Sequence, residues 1–201
     1  MRYKPAVLFG IALFCMSASA ARADHIDWSY SWSRSPDKVY ADGSTTSYIA
    51  LTSESEVPAG GNTDVVAANL SVFSDAPDTA PATFTNKPYT LTLTITDGDS
   101  SAAGSLVFTG EFNGKVTSDS SNVGILFTGQ NTQSLTLGEH LYTVTMDAYA
   151  PPGPPGSTNV GSIGAHAIVA VQTLPEPSSV LLAALALPVG VFWGRRRRRT
   201  G

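Results

Sequence analysis

Of the 201 residues, 42% are hydrophobic and only 14% are charged, with 18 Gly and 13 Pro. A globular domain usually carries about 25% charged residues, so this chain draws its polarity from Ser, Thr and the backbone. The formal net charge of −4 averages three unlike stretches: residues 1–23 hold three bases and no acid, residues 24–174 hold 15 acids against four bases (−11), and residues 175–201 hold Glu176 and five arginines (+4). A body at −11 repels phosphate backbones, which excludes a nucleic-acid partner. The single cysteine, Cys15, excludes disulfides, cysteine-ligated metals and a thiol nucleophile.

The N-terminal stretch has the anatomy of a secretory signal peptide, residues 1–23. Arg2 and Lys4 form a positive start, residues 6–16 (AVLFGIALFCM) form the apolar run, and Ala21-Arg22-Ala23 gives the small-residue cleavage pattern. Ala18-Ser19-Ala20 is a competing site. The run is shorter than the roughly 20 residues of a membrane span, which disfavours an uncleaved anchor. Phe14 is too bulky for Cys15 to be a lipoprotein cysteine, so cleavage leaves a mature chain with no thiol.

From residue 24 to 173 the pattern has period two, the mark of strands with one buried and one wetted face. Ile26, Trp28, Tyr30 and Trp32 alternate with Asp and Ser; Tyr89, Leu91, Leu93 and Ile95 alternate with Thr; Tyr142, Val144 and Met146 alternate with Thr and Asp. Residues 47–52, 65–74, 105–113, 123–128, 133–137 and 166–173 are further strands. Turn signals at Asp97-Gly98, Asn113-Gly114 and Gly138-Glu139 pair 89–96 with 105–113 and 133–137 with 140–147. Residues 53–64 and the Pro-rich 150–164 read as loops. The expectation is an all-β fold, an antiparallel β-sandwich of about nine strands, with no helix outside the terminal segments.

Candidate site residues are few. His25, His140 and His166 lack metal-ligand spacing to one another, and His140, in a tight turn, is expected to face solvent. Asp97-Gly98-Asp99 resembles part of a calcium loop, but Phe108 stands where the twelfth-position Glu belongs, so it reads as a hairpin turn. Glu54 with Glu56, or Asp75 with Asp78, offers at most a structural calcium site; no cofactor and no other metal is expected. There is no G-x-S-x-G elbow, and the acids cannot be paired for glycoside hydrolysis from sequence. Trp28, Tyr30 and Trp32 share one strand face. They are either core, since aromatics dominate core burial, or a stacking platform for sugar rings.

The C-terminal stretch, residues 174–201, carries three features in fixed order. They are the triplet Pro175-Glu176-Pro177, an apolar segment over 178–194, and the cluster Arg195, Arg196, Arg197, Arg198 and Arg199. Seventeen helical residues span about 25 Å, which just crosses a hydrocarbon core. The arginines are a membrane stop held on the cytoplasmic side. The two prolines keep the junction extended and open to a protease. Triplet, span and basic end resemble the bacterial PEP-CTERM sorting signal, with Pro188 inside the span as a departure. The resemblance implies recognition by an exosortase, a membrane protease-transpeptidase of bacteria that make extracellular polysaccharide. Without it, the same residues describe a permanent single-span anchor.

Together these readings describe an exported, non-catalytic cell-surface or matrix protein. It is cut by signal peptidase, held transiently in the inner membrane, and released or transferred by an exosortase-like enzyme to the surface, outer envelope or matrix. The rival is a carbohydrate-binding or adhesin module of the polysaccharide layer, with Trp28, Tyr30 and Trp32 as contacts; a secreted hydrolase or lyase ranks third.

Overall fold

The computed structural model describes residues 26–172. The signal segment and the C-terminal motif, with Pro175, Glu176, Pro177 and Arg195–Arg199, lie outside them. The described residues contain no helix. They form eleven strands: β1 (Asp27–Ser35), β2 (Lys38–Tyr40), β3 (Tyr48–Thr52), β4 (Val57–Gly60), β5 (Thr63–Phe73), β6 (Ala82–Asp97), β7 (Ala103–Val116), β8 (Ser121–Phe127), β9 (Thr132–Leu137), β10 (His140–Ala150) and β11 (Gly161–Val171). Two antiparallel sheets result, β4-β1-β6-β7-β8 and β2-β3-β5-β11-β10-β9, in a β-sandwich-like arrangement.

The period-two faces meet between the sheets. Trp28, Tyr30, Trp32, Tyr89, Leu91, Leu93, Ile95, Phe108 and Phe112 come from one sheet. Ile49, Leu51, Leu70, Val72, Tyr142, Val144, Met146 and Ile163 come from the other. The opposite face of the five-stranded sheet is a lattice of small hydroxyls, with Ser29 against Thr96, Ser31 against Thr94 and Ser33 against Thr92. Water satisfies such a face, while the β-branched threonines fit the pleat.

In β5 the alternation breaks deliberately. Ala68 pairs with Ile163 but Val66 pairs with Gly164, so Ala67 is the extra residue of a bulge. The shift lets Val65 and Ala67 on one side of it, and Ala68, Leu70 and Val72 on the other, all face the core. A second bulge between Met146 and Ala148 lies across β11 from the first.

Four sequence expectations need correction. Eleven strands replace about nine, because β2 and β4 were missed and residues 53–64 hold β4 and the start of β5. β4 is an edge strand, where Pro58 costs no ladder bond. β6 begins at Ala82, before Pro88, because the strand bulges between Phe84 and Lys87 and Pro88 lies beyond the last β1 pair, Ser35 with Thr90. The Pro-rich loop is shorter than 150–164, since β11 starts at Gly161.

Asn113-Gly114, finally, is not a turn: β7 runs on to Val116 and pairs through it with β8. Asn113 Oδ1 instead accepts a hydrogen bond from the Asn86 backbone N–H in the β6 bulge, at 2.9 Å. Gly114 has φ +142°, and a Cβ there would lie 2.1 Å from the Asn122 carbonyl oxygen and 2.9 Å from the Val123 Cα. Backbone cannot yield as a side chain can. Gly114→Ala is therefore expected to cost about 2–4 kcal/mol, from strain together with overpacking, read as a lowered urea midpoint.

Candidate functional site

Trp28, Tyr30 and Trp32 project from β1 into the core and are 3%, 7% and 4% exposed. Trp28 sits 5.6 Å from Tyr30 and 5.8 Å from Tyr142, centroid to centroid, and Trp32 sits 6.0 Å from Phe108. The Trp28 indole N–H donates to the Gly61 carbonyl at 3.0 Å. These rings are packing, and none of the three presents a face to solvent for a sugar.

The densest polar cluster joins the two sheets. Asp97, at the end of β6, is 1% exposed, and its Oδ1 accepts from both the Tyr142 hydroxyl and His140 Nδ1 at 2.5 Å. Its Oδ2 accepts from the Ser100 N–H at 2.8 Å and the Ser100 hydroxyl at 2.6 Å, which shapes the turn into β7. Burial pushes the carboxyl up, but the hydrogen bonds from Ser100, Tyr142 and His140 outweigh it and hold Asp97 well below the usual carboxylate range. Burial, then the Asp97 hydrogen bond and the charges of Asp97 and Asp99, pushes the Tyr142 hydroxyl well above its ordinary value.

The expectation of a solvent-facing His140 is thus overturned. The Gly138-Glu139 turn is where it was expected, but the ring folds inward to the carboxylate and is 7% exposed. An aspartate holding a histidine by Nδ1 has the look of two-thirds of a hydrolytic triad. The group near His140 Nε2, however, is the Asp99 carboxylate at 3.7 Å, and the Ser100 hydroxyl is committed to Asp97. The cluster acts as a polar rivet between the sheets.

The acidic candidates stay apart. Glu54, Glu56, Asp75 and Asp78 are exposed; Glu56 accepts from the Ser29 hydroxyl at 2.9 Å and Asp75 from the Thr46 hydroxyl at 2.8 Å. His166 donates from Nδ1 to Asp64 at 2.6 Å at the rim of a 440 Å³ depression beside the two bulges. Among the described residues, no three His, Asp or Glu side chains are grouped to hold a metal ion.

Sequence reasoning missed the outward aromatic row of the six-stranded sheet. Tyr40 on β2, Tyr48 on β3 and Phe73 on β5 are directly opposite across two strand pairs. Their ring centroids are 5.4 Å and 4.7 Å apart, the second pair nearly parallel at 20°. Lys38 Nζ lies 4.4 Å from the Tyr48 ring centroid, a cation–π contact. Tyr40 and Phe73 are 42% and 45% exposed.

Neither a protein-family model, nor a curated protein, nor a solved structure matches this chain.

The row ends at a cleft of about 160 Å³. Ser71, Val72 and Phe73 form one wall, and Gly153, Pro154, Gly156, Ser157 and Asn159 of the β10–β11 loop form the other. β5 and β11 part after the pair Leu70–Gly161, so beside Phe73 the Pro-rich loop stands where a neighbouring strand would otherwise run. Prolines withhold ladder donors from the 151–160 loop, which closes on itself through Gly153 N–H to the Asn159 carbonyl at 3.0 Å.

Proposed function

We propose that the chain is an exported, non-catalytic surface or matrix protein, sorted and trimmed at its C-terminus by an exosortase-like membrane enzyme. One observation carries this reading: Pro175-Glu176-Pro177, a 17-residue apolar stretch and Arg195–Arg199 stand in that order. A signal peptide at residues 1–23 directs the body across the inner membrane, and the arginines stop the tail from following. Three residues, 172–174, separate the end of β11 from Pro175, so the folded body is held close to the membrane until the cut. The body suits the journey, since with Cys15 removed it folds without oxidation and relies on a two-sheet core.

The test is the intact mass of the native protein recovered from membrane, envelope and culture fractions. Expected is a surface or released species lacking the first 20–23 residues and everything after the Pro175–Pro177 region, with any added mass identifying what was attached. A membrane form that retains Arg195–Arg199, with no shortened form elsewhere, makes it an ordinary anchored protein and overturns the sorting reading.

A further inference from the structure

We propose that the cleft between Phe73 and the 153–159 loop binds a single neutral pyranose unit, free or within a polysaccharide. The inference is independent of how the tail is processed.

The ligand class follows from what lines the cleft. At about 160 Å³ it falls well below the roughly 300 Å³ at which pockets for drug-sized molecules begin, and it suits one six-membered ring. Phe73 is covered on one side by Tyr48 at 4.7 Å, lines the cleft, and is still 45% exposed. A ring entering there continues the Tyr40–Tyr48–Phe73 row by one position. Aromatic faces carry negative charge and attract weakly positive C–H groups, which a pyranose presents on one face.

The rest of the lining is polar without charge. The Ser71 hydroxyl and the Asn159 side-chain amide make no hydrogen bond to other described residues, so both are open to a ligand. The Ser157 hydroxyl accepts only the Asn159 backbone N–H, at 3.2 Å. An amide and two hydroxyls donate and accept at once, as sugar hydroxyls do. No charged side chain lines the cleft, and the surrounding body is at −11, which disfavours an anionic sugar.

The experiment is saturation-transfer NMR on the purified full-length chain with methyl glucoside, methyl mannoside, methyl galactoside, methyl N-acetylglucosaminide and, as the charged control, methyl glucuronide. At least one neutral glycoside should receive saturation, strongest at the protons of one ring face. Phe73→Ala should weaken that binding about tenfold or more, and Phe73→Trp should keep it. Phe73 is half exposed at a strand end, so its variants should fold, and an unchanged melting temperature checks this. Asn159→Ala, in a surface loop, should weaken binding independently. The proposal is overturned if no neutral glycoside binds, if binding survives both Phe73→Ala and Asn159→Ala, or if the glucuronide binds as well as the neutral sugars.

Discussion

Asp97→Asn is expected to lower stability by about 3–5 kcal/mol, the range for removing one member of a buried ionic hydrogen-bond cluster. The carboxylate takes four hydrogen bonds, two on each oxygen, from Tyr142, His140 and Ser100. An asparagine has one oxygen to accept and an NH₂ that would point at donors. With the NH₂ in the Oδ2 place it can donate to the Ser100 hydroxyl, but the Ser100 backbone N–H is left facing a donor inside the protein, at a cost of about 1–3 kcal/mol, and the charge that strengthened the remaining bonds is gone. Tyr142→Phe removes a single donor and should cost less, about 1–2 kcal/mol. Urea unfolding of the purified chain separates the two. Near-equal midpoints for wild type and Asp97→Asn would refute the rivet.

The pH dependence gives the same cluster a second test. Asp97 has a folded pKa depressed below its ordinary 3.8. Its contribution is complete at pH values well above that number. It is lost as pH falls through the ordinary value towards the folded one, because the unfolded chain then takes up a proton that the native cluster refuses. Wild type and Asp97→Asn should therefore differ most near neutrality and converge below about pH 4. At the alkaline end the sign reverses. Burial pushes the Tyr149 hydroxyl, which donates to the Val123 carbonyl at 2.6 Å, up to about 12. Its contribution, like that of Tyr142, holds below the ordinary value of 10.0 and is lost as pH rises towards the folded value.

How far the fold could be read depended on the range of the signal. Tyr89 to Ile95 and Tyr142 to Met146 declare strands because one-sided burial imprints period two on consecutive residues, and both expected hairpins formed with the expected partners. β2, with Val39 buried between Lys38 and Tyr40, is too short to show a period. Asn113-Gly114 misled because a turn signal is local, whereas what demands that glycine is the Asn122 carbonyl on the next strand. The site residues depend on contacts longer still. His140 finds its carboxylate 43 positions away, and the aromatic row needs three strands in register before Tyr40, Tyr48 and Phe73 become neighbours. The stripe at Trp28, Tyr30 and Trp32 was visible at once, but period two marks a face without saying what covers it.

Because that face is core, Trp28→Ala should cost about 3–5 kcal/mol, the range for truncating a buried large aromatic. It removes ring contacts to Tyr30 and Tyr142 and strips the Gly61 carbonyl of its indole donor. Trp32→Ala should cost a similar amount, but the two phenylalanine variants should diverge. The Trp32 indole N–H is buried with no hydrogen-bond partner among the described residues. Trp32→Phe therefore removes an orphaned donor and offsets part of its lost packing, whereas Trp28→Phe loses packing and a made bond together. A difference of about 1–2 kcal/mol is expected, with Trp28→Phe the less stable. Urea midpoints of the four variants decide it. A Trp28→Ala chain as stable as wild type would mean that β1 presents its aromatic face to solvent. Equal phenylalanine variants would mean that the Trp28–Gly61 bond contributes nothing to holding β1 against the residues that follow β4.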